Sequence, residues 1–63
     1  MKVQDFVNLI DFPDIVTVII YSYDSWDDIF SGLCGNIPEY LLQEDVNGFE
    51  IPYKNTITLN IKA

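Results

Sequence analysis

No histidine and no arginine occur in these 63 residues, and only one cysteine, Cys34, is present. Without histidine there is no ready general base and no imidazole metal ligand, so a zinc site is excluded by ligand count. A single cysteine cannot close a disulfide within one chain. Its unpaired state fits a reducing compartment. Cations are as scarce: three Lys stand against ten Asp and Glu, a formal net charge of −7. A basic face is what nucleic acids and anionic membranes require, so direct binding to either is not expected. The longest apolar stretch, Ile15 to Tyr21, is broken by Thr17 and falls far below the ~20 residues that span a bilayer. Met1-Lys2-Val3-Gln4-Asp5 lacks the regions of a signal peptide. A cytoplasmic protein is therefore expected.

What is present is hydrophobic pattern. Hydrophobic residues make up 49% of the chain, enough to fold despite the self-repulsion of the charge. One domain, residues 1–63, is all this length allows. A core of that size supplies roughly 3–5 kcal/mol, so packing, assembly or a partner must do the rest.

The elements can be read in order. Val3, Phe6, Val7 and Ile10 recur at i, i+3, i+4 and i+7, predicting a short amphipathic helix that Phe12-Pro13-Asp14 ends. Ile15 to Tyr23 is β-branched and aromatic and predicts a first strand. One face carries Val16, Val18 and Ile20; the other carries Ile15, Ile19, Tyr21 and Tyr23. Apolar side chains on both faces indicate an interior strand or a covered second face. A polar turn, Asp24-Ser25-Trp26-Asp27-Asp28, leads to a second strand over Ile29 to Cys34, where Gly32 is expected to mark a bulge. Asn36, Pro38 and Glu39 then form a helix-start signature, predicting a helix from Ile37 to about Gln43 that buries Ile37 with Leu41 or Leu42. Asn47-Gly48 breaks the chain before a third strand through Phe49, Ile51 and Tyr53, which Pro52 assigns to a sheet edge. Lys54-Asn55 turns into Thr56 to Lys62, whose strict alternation is the clearest strand signal here. The prediction is a small α+β domain of order α-β-β-α-β-β, two β-hairpins in an antiparallel or mixed four-stranded sheet with short helices on one face.

Candidate chemistry is sparse. Cys34 has no basic neighbour to lower its pKa and reads as a small buried apolar residue. The carboxylates lack a cleft that could tune a pair apart as acid and base, so no catalytic residue and no enzyme activity are expected. Asp24, Asp27 and Asp28 lack the alternating oxygens, central glycine and distal glutamate of a calcium loop, so no metal and no cofactor are expected.

The topology predicts that the acid is polarised. If the first strand ends at one pole of the sheet, Asp24, Asp27 and Asp28 lie there, and a helix returning at about 1.5 Å per residue delivers Glu44 and Asp45 to the same pole. Asp11 and Asp14 would lie at the opposite pole with Lys54. Such a surface either only solvates the protein or docks into a basic groove. In the second case Tyr23, Asp24, Trp26, Asp27, Asp28, Glu44 and Asp45 are the partner-binding residues. Aromatic anchors would then supply affinity and carboxylates steering. Trp26 either folds back onto the core or stays exposed as the leading anchor.

Met1-Lys2-Val3 before a short helix, the hairpin, the Asn36-Ile37-Pro38-Glu39-Tyr40-Leu41-Leu42 segment and the closing Thr56-Ile57-Thr58-Leu59-Asn60-Ile61 strand together resemble small uncharacterised open reading frames of phages and mobile elements in Gram-positive bacteria. The resemblance spans nearly the whole chain, rests on structural motifs and transfers no ligand residue. It implies a gene product that acts on host machinery, by analogy with anti-CRISPR proteins. The expectation is thus a non-catalytic inhibitor of a protein partner with a basic surface, such as a CRISPR effector or another nuclease, blocked by acidic mimicry of nucleic acid. The alternative is a homodimeric accessory domain that buries the second face of the first strand.

Overall fold

The computed structural model describes residues 1–62, and its organising feature is a four-stranded mixed sheet in the order β2-β1-β4-β3. The strands are β1 (Thr17–Ser22), β2 (Asp27–Leu33), β3 (Val46–Tyr53) and β4 (Thr56–Ile61), with helices α1 (Val3–Val7) and α2 (Glu39–Leu42). The element order is the α-β-β-α-β-β read from the sequence. Each hairpin is antiparallel, and β1 runs parallel to β4 between them, from Thr17↔Thr56 to Ser22↔Ile61. A parallel pair needs a long crossover. Here β2, α2 and β3 supply it.

The alternation of β4, paired in register with a β1 that is apolar on both faces, determines which face is buried. Val18 and Ile20 of β1 and Leu59 and Ile61 of β4 are fully buried, and Val3, Cys34, Ile37 and Leu41 close over them. Both helices therefore cover the Val16, Val18, Ile20 face. The opposite face, with Ile19 and Tyr21 beside Thr58 and Asn60, carries no helix. At 17 Å the shortest dimension holds two layers, sheet and helix. The accessible surface is 4182 Å², close to the roughly 4,200 Å² that scaling predicts for a folded monomer of this mass. The chain closes its own core.

Several local expectations are corrected. The Ile37 to Gln43 helix shortens to Glu39–Leu42, after a 3-10 turn over Cys34–Asn36; Pro38 stands at the cap and Asn36 makes no capping bond. Pro38, extended at φ −59° and ψ 144°, delays the start. The turn also takes Cys34 out of β2, although it is buried as expected. Gly32 is not a bulge: it pairs in register with Val18, and the shift falls between Ile20 and Tyr21, leaving Ile29 unpaired. The Phe30 ring lies 3.2 Å from where a Gly32 side chain would begin, filling the missing volume. Asp27 and Asp28 belong to β2 rather than the turn, and Asn47-Gly48 lies within β3, where a register shift absorbs it. The first strand is shorter than Ile15 to Tyr23.

Both sheet edges follow from the order. β3 is an edge strand, as Pro52 requires, with a second register shift between Glu50 and Tyr53. Its start is covered by the N-terminal segment, since Val46 N–H donates to Met1 O at 2.8 Å and Val3 N–H to Glu44 O at 2.9 Å. β2 forms the other edge.

Ile20→Ala should remove roughly 2–5 kcal/mol, enough to unfold much of the population at 25 °C. Ile51→Ala, at a position 65% exposed, should change stability by no more than about 0.5 kcal/mol. Urea melts followed by far-UV circular dichroism measure both; equal losses would contradict the core assignment.

Candidate functional site

The pole where β1 and β4 end and β2 and β3 begin gathers the residues singled out by charge. Antiparallel pairing of Lys2 with Asp45 brings the chain's start to the same place. There, Asp24, Glu44, Asp45 and Lys62 line an open concavity of about 230 Å³. Asp24 reaches it because the β1–β2 hairpin leans toward β4: Tyr23 N–H donates to Ile61 O at 2.9 Å and Asp24 N–H to Lys62 O at 3.2 Å.

The five predicted carboxylates reach the same pole but do not form one patch. Asp27 and Asp28 start β2, at the far side of the sheet from β3. Three strand spacings, roughly 14 Å, separate those edges. Nor is the cluster purely acidic. Lys62 lines the concavity, and Lys2 Nζ stands 3.7 Å from Asp45 Oδ1 and donates to Gln43 O at 3.0 Å. Both partners of that ion pair are at least half exposed, so it adds little stability. Two of the three lysines thus sit among the acids. The pattern of one strand could not reveal this: the antiparallel β3–β4 hairpin sets Lys62 beside Asp45, and the parallel β1–β4 pairing brings Asp24 to both.

Trp26 does not fold back. It is 83% exposed and adopts φ 56°, in the left-handed region that costs a non-glycine residue roughly 1–2 kcal/mol. The four-residue loop imposes this. Trp26 N–H donates to Ser22 O at 2.9 Å, Ser25 N–H donates to Ser22 Oγ at 3.3 Å, and the next residue must re-enter the ladder as Asp27↔Ser22. Asn55, at φ 58°, solves the matching problem in the β3–β4 turn with a residue type that tolerates it. In the loop of Trp26, Tyr23 stacks edge-on against Tyr21, with ring centroids 5.8 Å apart. Exposed Trp26 and Tyr23 belong to the same loop as Asp24, which lines the concavity.

Other chemistry is limited. Among the described residues, no group of three or more His, Cys, Asp or Glu side chains is placed to hold a metal, and no helix is long and apolar enough to cross a membrane. Burial pushes the Cys34 thiol above its usual 9.0. The unfolded chain therefore ionises Cys34 first as pH rises, so this residue's contribution to stability is intact below about 9.0 and falls as pH climbs toward the native value.

Trp26→Gly should stabilise the fold by about 1 kcal/mol, by releasing the left-handed strain. Paired urea melts measure this; a destabilised variant would mean that Trp26 packs on the fold. Cys34 should resist alkylation at pH 8 in native protein and react readily in urea, and equal rates would contradict its burial. No family model, curated protein or solved structure matches this chain.

Proposed function

We propose that this chain is a non-catalytic, acidic protein-binding module that docks its Trp26 hairpin and the neighbouring carboxylates onto a basic protein surface. The observation that carries the reading is Trp26 itself, a large aromatic held exposed in a strained conformation. The loop requires a left-handed residue at this position but not a tryptophan; strain that asparagine or glycine would relieve is retained where a site uses it, and tryptophan is the side chain most enriched among binding hot spots. Tyr23, also exposed, belongs to the same loop. Asp24, Glu44 and Asp45 line the adjoining concavity, and Asp27 and Asp28 extend the acid along the β2 edge. With a net charge of −7, long-range attraction would steer the encounter.

The most specific form is a stoichiometric inhibitor in the bacterial cytoplasm. Its carboxylates stand in for phosphates on the nucleic-acid-binding surface of a host defence protein, a CRISPR effector or another nuclease. The spacing of the acids supports a surface that follows a channel rather than a point contact. A homodimer through the uncovered Ile19 and Tyr21 face has less support: β4 lines that face with Thr56, Thr58 and Asn60.

The test is capture of partners from a bacterial host lysate with elution in rising salt, followed by titration of the purified partner. A nucleic-acid-binding subunit should elute at moderate salt and lose its nucleic acid in the presence of this chain. Trp26→Ala should weaken binding about thirtyfold, the equivalent of a hot spot worth roughly 2 kcal/mol. Reversing Asp27, Asp28, Glu44 and Asp45 to Lys should abolish the salt-sensitive part. Binding indifferent to the reversals would end the mimicry reading, and a self-associating chain would favour the dimer.

A further inference from the structure

We infer that the outer edge of β2 is a strand-addition site that takes an extended, basic segment of a partner protein as a fifth strand. The inference rests on reading the chain as an acidic binding module and specifies the partner's form.

The two edges of the sheet are unlike. That of β3 is covered at its start by Met1–Val3, interrupted by two register shifts and deprived of a donor at Pro52. From Phe30 to Leu33, β2 pairs regularly with β1, without proline or charge. Cys34 N–H donates to Val16 O at 2.8 Å. Hydrogen-bonded and non-bonded positions alternate along an antiparallel ladder. Phe30 and Gly32 therefore turn their backbone groups toward β1, while Ser31 and Leu33 turn theirs outward. Folded proteins normally blunt such an edge, since it templates pairing with another chain.

Side chains define the chemistry of the added strand. Ile29 and Leu33, 37% and 42% exposed, flank Ser31 and offer apolar contact to every second residue. Asp27 and Asp28 stand at the start of β2, which contains no lysine between Asp27 and Leu33. The complementary segment sets β-branched residues against Ile29 and Leu33 and carries Lys or Arg where it meets Asp27 and Asp28. A second copy would meet acid without a cation on the paired strand and would add another charge of −7. In strand addition, main-chain bonds supply affinity and alternate side chains supply selectivity.

The experiment titrates the intact protein with a capped ten-residue peptide alternating Lys and Val, and reads amide hydrogen exchange by NMR. Ser31 and Leu33 amides should slow at least tenfold at saturation. A peptide N-methylated at every residue, which cannot donate to the edge from either of its own sides, should bind about tenfold more weakly, as expected for the loss of one or two backbone bonds. Ser31→Pro should have the same effect, and the N-methylated peptide decides the matter if that variant does not fold. Absence of binding, unchanged exchange at Ser31 and Leu33, or equal binding of the N-methylated peptide would each overturn strand addition. Trp26→Ala run in parallel separates the two ideas. Protection retained in that variant upholds the edge site independently of the hairpin. Unchanged exchange in the wild type removes the edge site and leaves the hairpin to its own test.

Discussion

The parallel pairing of β1 with β4 is the contact on which the rest of the structure depends. It joins residues about forty positions apart and places Val18 and Ile20 beside Ile57 and Leu59 on the sheet's central strands. Each hairpin alone would be a two-stranded ribbon with half a hydrophobic face, too little to be stable in water. Joined, they present one continuous face that two short helices can cover. Neither helix is long enough to persist unaided, with five and four residues against the ~12–15 that an isolated helix needs. Their stability comes from Val3, Ile37 and Leu41 seated on the sheet.

The same pairing organises the surface. Because β1 and β4 finish at one pole, the β1–β2 hairpin, the entry to β3, the first residues of the chain and Lys62 all meet there. The result is mixed in charge. Lys2 and Lys62 temper a group of acids that composition alone would portray as uniformly negative. Net charge steers the approach of a partner only over the ~8–10 Å that salt leaves unscreened. Close contact depends on the particular arrangement of aromatic, acid and lysine side chains.

Two features break the local rules that the rest of the chain obeys. Trp26 occupies a backbone conformation that asparagine or glycine fills without strain, while exposing most of its ring. The β2 edge is left open where the β3 edge is protected by proline, register shifts and the N-terminal segment. Both lie on the β1–β2 hairpin, away from the helices. In a protein whose core has little stability in reserve, departures of this kind concentrate where a surface is used.

The sequence by itself determined the elements and their order; which face of β1 is buried was decided by the tertiary structure, because that strand is apolar on both faces. Period-two alternation in Thr56 to Ile61, the β-branched run of β1 and the helical spacing of Val3, Phe6 and Val7 are local signals, and local signals survive in one dimension. The edge position of β3 was legible from Pro52 for the same reason. The short register of α2, the displacement of the bulge from Gly32 to Ile29 and the continuity of β3 through Asn47-Gly48 depend on partners across the sheet. Of the candidate site, the acids and Trp26 were visible as residue types, and a topological argument brought the acids to one pole. Only the tertiary structure decided that Asp24, Glu44 and Asp45 converge without Asp27 and Asp28, that Lys62 joins them, and that Trp26 stands free. The physical reason is that strand order and parallel pairing are settled by the burial of a shared face between distant segments, a quantity that no single segment carries.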